Sequence, residues 1–346
     1  MEDNNKNNKS SLFKIIRNTS FFVILLVLTY YFIFRKMDRH GLWLALKNTN
    51  LFFILIALIL ASGNVIFEAF IHYRNLKLLK EEISFKQALK YAIVGFFFSA
   101  ITPAATGGQP IQIYYMHKDN ISYTHATISI LIQSFSYLTI MVTLGILGFI
   151  INYNYISNLG FLEYFFFIGA TVNVAIISIT LIAMFNRKLS MKLLDLIYKL
   201  IAKFNQEKAD NMKEKTKTQL EEYHDSARFI INNKKTLIKT LLTSTLQLVS
   251  YHSVAFFVYL ALGATHLNYF KITSLQSLLY LSVSILPLPG TVGVNETGFS
   301  LIYNPIIAKN IVDSAMLLTR GISFYFIVVV TGIILLVLAL KKNHKN

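Results

Sequence analysis

Between residues 161 and 185 the chain reads FLEYFFFIGATVNVAIISITLIAMF, a stretch whose single charged side chain is Glu163. A bilayer crossing takes about 20 such residues as a helix. Nothing else suits an isolated apolar run in lipid, because every backbone N–H and C=O must find its partner within the segment. Runs of the same kind occupy residues 20–34, 51 to about 73, 121–151, 237–262 and about 315–340. Charged residues make up 14% of the chain, against about 25% in a soluble domain, and the mean hydropathy is +0.52. The chain reads as an all-α polytopic membrane protein with about six transmembrane helices. The run at 20–34 is an uncleaved span rather than a signal peptide: a long basic region precedes it, no small-residue cleavage site follows, and Arg35-Lys36 comes next.

Two segments between these runs break the helical pattern. One is Thr102-Pro103-Ala104-Ala105-Thr106-Gly107-Gly108-Gln109-Pro110. The other is Pro287-Leu288-Pro289-Gly290-Thr291-Val292-Gly293-Val294-Asn295-Glu296. Proline removes a donor and glycine loosens the backbone, so each predicts an interrupted helix. Freed backbone groups at membrane depth are tolerated only where protein or a wet cavity meets them. The two also match: Pro103 and Pro289 each stand four residues before a glycine, Gly107 and Gly293, with a carboxamide (Gln109, Asn295) two further on.

Lys/Arg asymmetry orients the spans. The insert 186–235 and the tail 341–346 are basic, so both are expected inside, as is the basic tail 1–19. The loop 152–160 has no Lys or Arg and falls outside. Arg74, Lys77, Lys80, Lys86 and Lys90 place 74–90 inside. Each broken segment then begins and ends on one face. The expectation is a re-entrant hairpin near 84–117 and a second near 272–308, entering from opposite faces. One loop disagrees, since 35–50 carries Arg35, Lys36, Arg39 and Lys47 yet falls outside. The resulting order, span-span-hairpin-span twice over, makes a first repeat of 20–151 and a second, inverted repeat of 161–340 interrupted by the insert. That architecture recurs among transporters. A multi-pass protein of the cell membrane with both termini cytoplasmic is expected, and the Asn-, Lys- and Ile-rich usage points to a bacterial source.

The net charge of +16 fits attraction to an anionic inner leaflet. Nucleic acid is not an expected partner, because the basic residues flank spans. In the insert, Lys188, Lys192, Asp195, Lys199 and Lys203 share one helical stripe, and Leu189, Leu193, Leu196, Ile197, Leu200 and Phe204 share another. That suits a helix lying on the inner leaflet, and equally a solvated helix packed on the protein's own loops. Cysteine is absent, the histidines lack metal spacing, and no phosphate-loop signature occurs. No cofactor, metal or catalytic residue is expected.

The Pro…Gly107-Gly108-Gln109-Pro110 element, Pro287-x-Pro289-Gly290-x-x-Gly293-x-x-Glu296 and the span order over most of the chain resemble the lysylphosphatidylglycerol synthase transmembrane family. This is the flippase-like membrane region also found in the bacterial multiple peptide resistance factor. Thr291 stands where a second glycine is commoner, Gln109 where some relatives carry an acid, and Ile111-Gln112 where an arginine is frequent. The full-length synthases add a soluble lysyl-tRNA-dependent transferase domain. Here the chain ends at Asn346 directly after the last span, so phosphatidylglycerol lysyltransferase chemistry is not expected from it.

Several polar residues fall at expected membrane depth, where ionisable groups are costly and usually functional. Glu296 is a candidate for contact with a headgroup, or a carboxylate cap on the following helix. Glu68 is either a substrate contact or half of an ion pair near the inner face. Arg320 can snorkel outward, pair with Glu296 or meet a phosphate. Gly107, Gly108, Gly290 and Gly293 can expose N–H groups to an anion or simply permit hairpin packing. Gln109 and Asn295 can hold a headgroup without charge. Thr102, Thr106 and Thr291 can satisfy freed backbone groups, while Pro103, Pro110, Pro287 and Pro289 are structural breaks. Asn64, Gln133, Gln247, Tyr251 and His252 are expected mainly to bridge helices.

The leading expectation is a lipid translocase moving a phospholipid, with an aminoacylated one among the candidates, through a cavity between the hairpins. Two others stand beside it. One is a membrane subunit of a lipid-modifying enzyme, lysyltransferase-like or acting on lipid-linked sugar with a separately encoded transferase. The other is a small-solute secondary transporter.

Overall fold

The computed structural model describes residues 49–203 and 224–343, with Lys47 and Gln206. The expected span at 20–34, the tail 1–19 and most of the discordant loop lie outside the described residues. Helix dominates, and no strand occurs among the described residues. Five helices are long and apolar enough to cross a membrane: 51–78, 123–151, 163–182, 234–261 and 311–338. These are the five expected runs downstream of residue 34.

Helix α1 (Leu51–Leu78) starts at Asn50, whose side chain accepts from the Phe52 N–H. A turn at Lys80 leads into α2 (Phe85–Ile101), opened by a reciprocal cap between Ser84 and Gln87. A 3₁₀ turn (Pro103–Ala105) then precedes α3 (Gly108–Lys118), which folds back onto α2. Pro110 falls in the first turn of α3, where its missing N–H would have had no intrahelical partner. Lys90 and Tyr91 on α2 both bond Asp119, just past α3, tying the two arms at their base. The long α4 (Tyr123–Ile151) and α5 (Phe161–Phe185) follow.

The insert begins with α6 (Arg187–Ala202), which touches α5. Lys188, Lys192 and Lys199 are exposed on it, and so is Leu196. Helix α7 (Lys234–Ala261) packs along α1, and α8 (Tyr269–Val283) leads to a second 3₁₀ turn, Pro289–Thr291. Helix α9 (Val294–Tyr303) returns onto α8. Residues 304–308 form the turn into α10 (Lys309–Arg320). A π-helical stretch, Gly321–Phe326, joins α10 to α11 (Ile327–Asn343). Exposed Leu, Ile and Phe side chains cover the outer faces of the long helices, for example Leu51, Ile59, Ile150 and Leu336, as a lipid-facing surface requires.

Helix contacts inside the bundle use small residues and amides, the usual adhesives where lipid removes the hydrophobic drive. Gln247 donates to both the backbone and side-chain oxygens of Asn64 at 2.9 Å, joining α7 to α1. A β-carbon on Gly148 would stand 2.4 Å from the Ser274 carbonyl, and one on Gly169 would stand 2.5 Å from that of Leu281. Bare glycine lets α4 and α5 approach the α8 backbone.

Candidate functional site

The two breaks share their local construction. Each opens with a 3₁₀ turn at its proline and has an N-capping glycine four residues later, Gly107 and Gly293. In both, the residue two after the proline adopts positive φ, Ala105 at 54° and Thr291 at 52°. A non-glycine residue is uncommon there, and a β-branched one more so. Glycine would enter this backbone at 291 without strain. The two 3₁₀ turns also meet, with Cα atoms within 8 Å, and the second packs on α2.

Internal bonds satisfy most of the freed groups in both breaks. In the first, Thr102 Oγ1 accepts from the Gly107 N–H at 2.9 Å and donates to Phe98 O at 2.6 Å. Thr106 donates to Pro103 O at 2.9 Å. In the second, Glu296 Oε2 accepts from the Gly293 N–H at 2.6 Å, while Oε1 accepts from Arg320 Nε at 2.9 Å. Arg320 Nη2 donates to Gly290 O at 2.7 Å, and its guanidinium lies 4.7 Å from the Phe324 ring centre. Thr291 donates to Gly290 O at 2.7 Å. Both charged side chains are only 5% exposed. Of the three arrangements open to Arg320, the structure has the ion pair: it turns inward and fastens Glu296 and Gly290 together. Glu296 also fills its capping role.

The glycines do two jobs. A β-carbon on Gly108 would come 1.9 Å from Ser99 Oγ and 2.7 Å from Gly95 O, so bare backbone is what lets α3 lie on α2. On Gly290 it would meet Phe324 Cζ at 2.2 Å. The N–H groups of Gly107 and Gly293 are taken by Thr102 and Glu296. Gln109 is exposed and donates to Ser134 at 2.8 Å. Asn295 is 3% exposed. Pro103, Pro110 and Pro287 are exposed, and Pro289 opens the second 3₁₀ turn.

Glu68 stands apart from the Glu296–Arg320 pair, on α1. Gln112 donates to its Oε1 at 2.6 Å and to Tyr91 O at 3.2 Å. Buried His72, one turn on, brings Nε2 to 3.5 Å from the same oxygen and bonds Ser129 through Nδ1 at 3.0 Å. Gly95 makes this possible, since a β-carbon there would sit 1.9 Å from Gln112 Nε2. The sequence reading of Glu68 left out Gln112 and His72. His72, one helical turn along the same face, was the available signal; Gln112 is brought in only by the fold of the first break. Of the remaining polar residues, His252 bonds Ser277 at 2.7 Å, the Tyr251 ring lies 5.4 Å from that of Tyr280, and Gln133 accepts from Ser134.

Among the described residues no group of three or more His, Asp or Glu side chains is placed to hold a metal ion.

The chain is similar to a UPF0104 membrane protein of Archaeoglobus fulgidus, 23% identical over 309 residues, covering 85% of this chain and 88% of the relative. It is also similar to a UPF0104 membrane protein of Pyrococcus horikoshii, 24% identical over 313 residues, covering 87% and 90%. Both relatives are archaeal, so the compositional pointer to a bacterial source gains no support from them. The family model described as the lysylphosphatidylglycerol synthase TM region matches residues 19–331, and the chain belongs to that family of membrane proteins.

Proposed function

We propose that this protein is a lipid translocase in which the two broken hairpins, re-entrant from opposite faces and related as an inverted repeat, flank the path of a phospholipid headgroup. The observation that carries the reading is the meeting of two like-built breaks, Pro103–Ala105 and Pro289–Thr291, inside a bundle of apolar helices. Membership of a family described by a lipid-synthase membrane region favours a lipid as the cargo. A headgroup needs polar partners at depth while its tails stay in lipid. Gln109 and Asn295 offer neutral amides beside the breaks, and the Glu296–Arg320 pair offers both signs of charge at one place. For a headgroup to pass, the two 3₁₀ turns must part.

In this reading both termini are cytoplasmic, the helix α6 rests on the anionic inner leaflet, and an aminoacylated phospholipid is the most specific cargo. The account is tested by reconstituting the protein into liposomes with labelled phosphatidylglycerol and following movement between leaflets. Movement faster than in protein-free liposomes supports it, and equal rates overturn it. A sealed, water-only cavity would favour small solutes instead, and a co-purifying transferase would favour an enzyme subunit.

A further inference from the structure

A second cation lies in the bundle, on α1, and unlike Arg320 it has no ion-pair partner among the described residues. Arg74 sits four residues from the end of α1 and is half-buried. Its Nη2 donates to Thr243 Oγ1 on α7 at 3.0 Å, while Nη1 is buried with no hydrogen-bond partner. Among the described residues no carboxylate comes within 4.0 Å of it. A charge at such depth without a counter-ion is costly, and natural proteins pair it.

The surroundings share the deficit. Asn75, the next residue, is fully buried with both amide atoms unpartnered, and Thr240 Oγ1, one turn before Thr243, is buried and unpartnered as well. The two helices run antiparallel. The Asn50 N–H bonds Ala261 O at one end, and Arg74 bonds Thr243 toward the other. That second end carries exposed Lys77 and Lys80 from α1 and its turn, and exposed Lys234, Lys235 and Lys239 from α7. The nearby acid Glu81 is engaged by His125 at 2.6 Å.

We infer that Arg74, with Thr240, Thr243 and Asn75 on the facing helices, forms an anion site that takes a phosphate group. Thr243 donates its own proton to Lys239 O at 2.6 Å and serves to hold the guanidinium. The donors left for phosphate oxygens are Arg74 Nη1, the Asn75 amide and the Thr240 hydroxyl, and the lysine rim draws negative charge to them. The phosphate belongs either to an anionic phospholipid lodged between the α1 and α7 ends or to the free ion. The site is independent of headgroup passage at the breaks.

The test uses the full chain purified in detergent, with phosphatidylglycerol, inorganic phosphate and phosphatidylcholine as probes. Melting temperature and lipids retained in native mass spectrometry are the readouts. Phosphatidylglycerol or inorganic phosphate should stabilise the wild type more than phosphatidylcholine does. Stabilisation by the lipid alone assigns a headgroup; stabilisation by inorganic phosphate assigns the free ion. Arg74→Gln should weaken binding about tenfold or more, since charge-assisted bonds are lost. The double variant Thr240→Val, Thr243→Val keeps the charge and should weaken it about fivefold, which preserves the test if Arg74→Gln does not fold. Unchanged affinity in whichever variant folds, or no stabilisation of the wild type by either anion, overturns the proposal.

Discussion

Arg320 Nε, at the end of α10, donates to Glu296 Oε1, in the first turn of α9, at 2.9 Å, and both side chains are 5% exposed. The same guanidinium bonds Gly290 O, so one side chain ties the second break and the start of α9 to the end of α10. Removing one member leaves a buried charge uncompensated. Glu296→Gln or Arg320→Gln should each destabilise the protein by about 3–5 kcal/mol. The double variant Glu296→Gln, Arg320→Gln should lose less than the sum of the two. Thermal unfolding of the four proteins in detergent checks both statements, and additive losses would show that the pair is not the source.

Backbone strain makes a separate prediction. Ala105 holds φ 54° and Thr291 φ 52°, where a β-carbon costs about 1–2 kcal/mol. Ala105→Gly should stabilise the protein by about 0.5–1 kcal/mol after the entropy glycine adds to the unfolded chain. Thr291→Gly should gain less, because the hydroxyl bond to Gly290 O is lost. Melting shifts measured side by side give the comparison.

Glycine substitutions should separate by place. Gly108→Ala drives a methyl into Ser99 and the Gly95 carbonyl, an overpacking worth about 1–3 kcal/mol. Gly95→Ala should displace Gln112 from Glu68 and cost a similar amount. Gly321→Ala meets nothing within 4 Å at a helical backbone and should be neutral or stabilising by up to about 1 kcal/mol. A destabilised Gly321→Ala would mean that the π-helical stretch needs its glycine for another reason.

The amide bridge between α7 and α1 is open to the same treatment. Gln247→Ala removes both bonds to Asn64 and should cost about 0.5–2 kcal/mol, the range for polar contacts between membrane helices. Asn64→Ala removes only one of them, since the Asn64 carbonyl remains, and should cost less.

Much of this was legible in the chain because membrane helices obey a local rule: enough apolar residues in a row must become helix. The five described spans follow from it, as does the interruption at Pro103 and Pro289. The register of the two breaks, proline to glycine in four steps, was visible too, and the backbone reproduces it. Residues that meet across distant helices were not legible. Nothing in the order of residues joins Gln112 to Glu68 or Arg74 to Thr243, which are 44 and 169 positions apart. The ion pair weighed for Glu68 had no named partner, and in the fold its neighbours are Gln112 and His72. Positive φ at Thr291 was hidden as well, because threonine there runs against local preference and is held by the turn around it.

The claim that a headgroup passes where the breaks meet is open to one direct measurement, helped by a chain that contains no cysteine. Ala105→Cys with Thr291→Cys places one thiol on each of the two touching turns, and a reducible thiol-specific linker can then join them. The account predicts that linking stops movement of labelled phosphatidylglycerol between the leaflets of reconstituted liposomes, and that reduction restores it. Movement that continues undiminished with the turns linked would contradict it.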